Sequence, residues 1–486
     1  MASALATRIA AEHAAAAASL PTEVVSRERR RSAIETLATE GLPTSRDENW
    51  KYANLRPLEK VRFAPPAIGV PAGPGPGAQP SLKVADLPAG IEGYARYTFV
   101  DGVFAPALST PVPRAGIAVT TLRAGPVAEA AGSRSGGAAA ASAPGSRAPS
   151  SAGTDAAHAS ASARAGSPVL SSIRPGDAQR LKDARFALLN DAFATDGASI
   201  RVSAGTDCPT CIELVFVATV ESQTASSYPR VELHIEQDAR LGLIERHVSI
   251  GSGANFVNAS VKVDIGRGAT VNHYRVQESG AKAVWFDTLS AVLAQDASYK
   301  LHGVNVGGLS SRSTINVLLA GERADAAVSV ASLGDRQQIQ DAFVRVEHLA
   351  PRAKSVQTFR GISAGRARVA FNGMIVVREG AQGTDSQQSL RGLLAGPEAE
   401  IDVRPQLQID TDDVRCAHGA TAGKLDEDML FYLLSRGIDA ATAQRLLKWA
   451  FLEDVVARIE VPELRRQIER SLAGQMQEAA ELQELL

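Results

Sequence analysis

The chain has 486 residues, a formal net charge of -2, 45% hydrophobic and 21% charged residues, which supplies ample core material and, at about 150 residues per domain, suggests roughly three domains. The charge balance excludes a dedicated nucleic-acid binder, which carries a basic excess or stripe, and no stretch approaches the 18 consecutive apolar residues of a membrane span. Three cysteines make no disulfide framework and fit a reducing compartment, so the expectation is a cytoplasmic protein without a membrane anchor. Aromatics are only 5%, whereas Gly (41) and Pro (24) are plentiful; a core poor in rings must come from Val, Ile, Leu and Ala, which suits short strands.

Residues 1–126 read as a helical and mixed region. The Ala-rich start is interrupted by Glu12 and His13 before a secretory core can form, and is expected to be a helix. Ser26 to Glu40 reads as a helix stopped at Gly41, two residues before Pro43. Ser45-Arg46-Asp47-Glu48 fits a capping box opening a short turn that carries Trp50 and Tyr52. Residues 71–80, PAGPGPGAQP, read as a linker. Across 127–169 only the terminal valines are large and apolar, so this stretch cannot offset its ordering entropy and is expected to be a disordered insertion.

From about 186 to 421 the texture changes to short alternating runs: 211–217, 231–235, 261–265 and 315–318, the period-two signal of strands. Between runs a polar turn ending in alanine recurs, at Ala239, Ala269, Ala297, Ala324, Ala353 and Ala381, with spacings of 30, 28, 27, 29 and 28 residues. A fixed period of this size marks a solenoid, each coil burying its face against its neighbours, and a small residue after the turn lets coils stack closely.

Residues 422–486 return to helical periodicity. Asp426 caps a first helix through Met429, Leu430, Leu433 and Leu434 that Gly437 stops. Asp439 caps a second, with Ala443, Leu446, Leu447, Ala450 and Phe451 as its stripe. A third begins at Pro462, with Leu464, Ile468 and Leu472 on one face. These helices are expected to cap the solenoid and leave one stripe for a partner.

Few residues carry chemistry. Gly419 to Leu425 resembles a phosphate loop but is one residue short and lacks the Ser or Thr that binds magnesium, so no nucleotide is expected on this chain. Cys208-Pro209-Thr210-Cys211 has no second pair to complete a zinc or iron–sulfur set and opens a strand, so it reads as two small residues at a strand edge. The other histidines (His13, His158, His234, His247, His273, His302, His348) form no close pair. Cys416-Ala417-His418 differs: a thiolate and an imidazole two residues apart point to one face of an extended segment and suit iron, iron–sulfur species or zinc. Asp410, Asp412 and Asp413 lie just upstream. Two ligands are half a site, and the rest would come from another chain.

The run HLAPRAKSVQTFRGISAGRARVAFNGMIVVREGAQGTDSQQSLRGLLAGPEAEIDVRPQLQIDTDDVRCAHGATAGKLDEDMLFYLLSRGID (348–439) closely resembles the SufB/SufD family of iron–sulfur cluster assembly proteins, and PTSRDENWKYANLRPL (43–58) resembles the start of its SufD branch. The resemblance implies a right-handed parallel β-helix flanked by N- and C-terminal helical regions. It implies a non-catalytic scaffold that pairs with a SufB-like paralogue through the end of the β-helix and with a SufC-like ATPase through the C-terminal helices, with a homodimer as a further state. It maps His418 to the interface and Cys416 beside it, where a transient iron or iron–sulfur cluster is shared with SufB. The middle residue is Ala417 where relatives often carry Ser, which removes a hydroxyl but neither ligand. Two other classes stay open: a carbohydrate-active β-helix enzyme, which needs carboxylates grouped on one face, and a zinc or redox protein built on Cys208 and Cys211.

Overall fold

The structure, a computed structural model, describes residues 4–65, 82–123, 125–126, 182–219, 226–251 and 253–476. The linker at 71–80 and the insertion at 127–169 lie outside the described residues.

Two long sheets face each other as the walls of a β-solenoid. Successive strands alternate between them: Phe256–Ile265 in one, Thr270–Ser279 in the other, Val284–Leu293 back in the first, and so on to Glu400–Ile409 and Val414–Gly423. Each strand pairs in parallel with its counterpart one coil on. Like therefore stacks on like: Val263, Ala291, Val317, Val346, Ile375 and Leu407 form one inward ladder. No edge is left inside the stack, and every coil shields the next.

The repeated alanine sits at the corner where the chain crosses between walls. Ala239, Ala269, Ala297, Ala324, Ala353 and Ala381 are all completely buried. Each follows a residue in the left-handed region: Asp238, Gly268, Asp296, Arg323, Arg352 and Gly380. That conformation turns the chain sharply, and the small side chain fits the inside of the bend. At Gly268 a Cβ would stand 2.2 Å from Asp238 Oδ1, so a larger residue there would have to displace that side chain. Arg323, an unfavourable left-handed residue, donates to Asp296 of the preceding corner at 2.7 and 2.8 Å. Ala324→Leu should destabilise the chain by about 1–3 kcal/mol through overpacking, read as a lowered urea midpoint.

Helices lie along the outside of both walls. In the N-terminal region α1 (Ala4–Ala16), α2 (Arg27–Glu40) and α3 (Arg185–Phe193) pack together, α3 against Phe256–Ile265 and Val284–Leu293. Ser26 caps α2 by accepting from Arg29 N–H, and Gly41 ends it with φ 73°. The scarce rings gather here: Trp50 stacks on Phe186 at 5.2 Å and Phe186 on Phe286 at 4.8 Å. Asp183 accepts from Trp50 Nε1 and Asn49 Nδ2, both at 2.8 Å, which ties the 43–58 patch to α3. The expected Ser45–Glu48 capping box does not form. The turn is a short 3-10 helix, Glu48–Trp50, and Asp47 instead accepts from Thr44 N–H at 2.8 Å.

The C-terminal helices α4 (Glu427–Ser435), α5 (Ala440–Val456) and α6 (Pro462–Gln475) begin and end where their caps place them: Asp426 accepts from Asp428 and Met429, Asp439 from Thr442. Two expectations need correction. The buried face of α5 is Ala443, Trp449, Leu452, Val455 and Val456, rotated from the expected stripe because Trp449 fills the space against the wall. With α6 it packs on Tyr274, Val304, Leu333 and Ile362, along the flank of the solenoid and not over its end. No helix among the described residues is long and apolar enough to cross a membrane.

Candidate functional site

Among the described residues nothing covers the solenoid's last coil. Glu400–Ile409 and Val414–Gly423 are the terminal strands of their sheets, so each presents a row of unpaired backbone groups. Val414–Gly423 stacks in register on Thr384–Leu394, with Ser386 opposite Cys416 and Gln388 opposite His418. Because Ser386, Gln388 and Leu390 are buried inside the bore, Cys416 and His418 occupy inward-facing positions, left open only because no further coil follows. Cys416 is half-buried against Ile375, Val377 and Ala381, whereas His418 is exposed. Burial, with the Asp385 carboxylate nearby, pushes the Cys416 thiol up.

The structure thus brings the two sequence candidates side by side at an open end, and adds no third ligand: among the described residues no group of three or more His, Cys, Asp and Glu could hold a metal ion. Asp410 is engaged elsewhere, with Arg378 at 3.3 Å, which also donates to Glu347 at 2.6 Å. Asp412 and Asp413 are exposed at the corner.

Cys208 and Cys211 lie seven strands away in the same sheet and belong to no shared site with Cys416. They open the strand Asp207–Thr219, as expected, and both are buried in the aliphatic core beside a register shift between Cys208 and Ile212. Gly419 to Gly423 lies within the last strand, not before a helix as a phosphate loop would.

Coil stacking also assembles what the linear sequence kept apart. His247 Nε2 and His273 Nε2 both meet Glu245, at 2.6 and 3.0 Å, where Arg275 adds a third donor at 2.9 Å. Below the open end, His348 Nε2 meets Ser355 Oγ at 2.9 Å and Ser355 meets Ser386 at 2.6 Å. His273 and Arg275 lie 28 and 30 residues from Glu245, and Ser386 lies 31 from Ser355, so these contacts exist only through the register of neighbouring coils.

Residues 216–451 match the family model described as SUF system FeS cluster assembly, SufBD core domain. The chain carries a SufBD core domain. The SufBD core spans the solenoid, its open end and α4 with most of α5. The chain is 25% identical to the iron-sulfur cluster assembly protein SufD of Escherichia coli over 90% of its own length and 89% of that protein's. It is 25% identical to SufD of Bacillus subtilis, over 63% of this chain and 70% of that one. It is 27% identical to a SufBD family protein of Synechocystis, over 59% of this chain and 65% of the other.

Proposed function

We propose that this SufBD chain is a non-catalytic, cytoplasmic scaffold subunit of a SufBCD-type complex. It pairs through its open end with a SufB-like paralogue, and there Cys416 and His418 contribute to holding iron or a nascent iron–sulfur cluster as cargo. The observation that carries this reading is the open coil: ten-residue strands with free edges, bearing a soft and a borderline ligand with no third partner. A second solenoid end supplies strand pairing, buries Ile401, Val403 and Ile409, and brings the missing ligands.

The second contact is α4. Phe431 and Met429 are 72% and 54% exposed, with Tyr432 and Leu434 beside them, a large apolar face for a short helix. A SufC-like ATPase is the proposed occupant, which leaves nucleotide chemistry to that partner.

Co-expression with the SufB-like and SufC-like partners tests both contacts. Phe431→Asp should abolish co-purification of the ATPase and leave the paralogue bound. His418→Ala should leave the complex assembled but lower its iron content by at least half. Failure of the parent chain to retain either partner, or unchanged iron in the His418 variant, overturns the corresponding part. A complex of two copies of this chain replaces the paralogue by a homodimer.

A further inference from the structure

The bore of the solenoid changes character as it approaches the open end. One inward ladder runs Leu241, Val271, Tyr299, Ala326, then Ser355, Ser386, Cys416. Its neighbour runs Leu243, His273, Leu301, Val328, then Gln357, Gln388, His418. On the facing wall His348 interrupts the aliphatic ladder of Ile265, Leu293, Leu319, Val377 and Ile409. Polar side chains are expensive to bury, and near the open end they form a column that ends under Cys416 and His418.

Its hydrogen bonds have a fixed direction. Gln357 Nε2 donates to the Met374 carbonyl at 3.4 Å, and a carbonyl can only accept, so Gln357 turns its Oε1 to Gln388. Gln388 Nε2 donates to that oxygen at 3.1 Å. Gln388 is 4% exposed and its Oε1 has no partner among the described residues, a buried acceptor one coil below His418. Gly373 makes room for the pair: a Cβ there would stand 2.6 Å from Gln357 Oε1 and 2.8 Å from Gln388 Nε2.

The second thread is likewise directed. Thr384 donates to the Ala381 carbonyl at 2.8 Å and therefore accepts from His348 Nδ1–H at 3.4 Å. His348 Nε2 then accepts from Ser355, whose oxygen accepts from Ser386. The Ser386 oxygen is left as an acceptor toward the next coil, where its register partner is Cys416.

We propose that Gln388 is a positioning residue for the open-end pair, its Oε1 accepting one ring N–H of His418 so that the other ring nitrogen is the metal donor, while Ser386 accepts from the Cys416 S–H only until metal takes the place of that proton. This rests on the reading of Cys416 and His418 as metal ligands. Such outer partners orient a ligating imidazole and set its tautomer.

The test uses the full chain with 15N-labelled histidine and Co(II) as the probe. Metal-free wild type should show His418 as a single tautomer, with mixed tautomers in Gln388→Leu and in Gly373→Ala. Co(II) affinity, followed by the thiolate charge-transfer band, should fall about 10- to 100-fold in Gln388→Leu and recover in Gln388→Glu. A wild-type His418 with the tautomer mixture of free imidazole overturns the proposal without any variant. So does a folded Gln388→Leu protein that binds Co(II) within about twofold of wild type, where tenfold or more is expected. If Cys416→Ser and His418→Ala bind Co(II) like wild type, the ligand reading itself falls. If they lose binding and Gln388→Leu does not, only the positioning role falls.

Discussion

Glu245→Gln should remove about 3–5 kcal/mol of stability, the loss typical of breaking a buried ion pair by deleting one charge. Glu245 is completely buried, and three donors converge on its two oxygens: His247 Nε2 at 2.6 Å, Arg275 at 2.9 Å and His273 Nε2 at 3.0 Å. The Arg275 guanidinium and the two imidazole donors hold its carboxyl well below the usual range against the opposing pull of burial. His273 is already committed on its other face, where Nδ1 meets the Tyr299 hydroxyl at 3.0 Å. A glutamine keeps the shape but turns one acceptor into a donor, which then faces an N–H, and leaves Arg275 with Asp287 alone at 2.6 Å.

The position of the loss is as informative as its size. Coils of a solenoid are coupled mainly to their neighbours, so hydrogen exchange should rise in Arg240–Ile250, Thr270–Ser279 and Val284–Leu293, while Lys354–Ser363 and Thr384–Leu394 keep their protection. A loss under about 1 kcal/mol, within the usual range of surface substitutions, or a uniform rise along the solenoid, would contradict this account.

The same coupling explains what the sequence could and could not disclose. The corner alanines were legible because one small residue must follow a left-handed turn in every coil, so the period is written in one residue type. Cys416 and His418 were legible because ligands two apart on one strand share a face. The contact of Glu245 with His273 was not, since it depends on which residue stacks on which, and a register slip of one would turn each side chain to the other face. Gln388 was invisible for the same reason: it gains meaning only from lying under His418 and beside a glycine on the opposite wall. The helical flank was misjudged because periodicity reports that α5 has an apolar stripe, whereas the shape of the wall decides that Trp449 and Leu452 fill it.

Acid should loosen the fold well before its carboxylates protonate, because buried histidines, His302 and His348 among them, are held neutral. Burial lowers His302 to about 4, helped by Lys300 and Arg458 nearby, and burial alone lowers His348 to about 4. A folded value below the unfolded 6.5 means that the unfolded chain takes up the proton first. Stability is therefore full above pH 6.5 and falls as pH drops toward 4. At pH 5 each histidine should have withdrawn about 2 kcal/mol relative to pH 7, about 4 kcal/mol together. Asp287 and Asp341, raised by burial, act in the opposite sense, since protonation favours their folded form. A difference between proteins removes that opposing contribution. His302 stacks on Tyr274 at 5.4 Å, in the layer where α5 and α6 meet the wall. His302→Gln should lose about 2 kcal/mol less than wild type between pH 7 and pH 5, read from urea midpoints at both values. Wild type should in the same interval lose exchange protection first in α5 and α6. Parallel stability curves for the two proteins would mean that His302 takes its proton equally well in either state, and that the helical layer is not the acid-sensitive element of the fold.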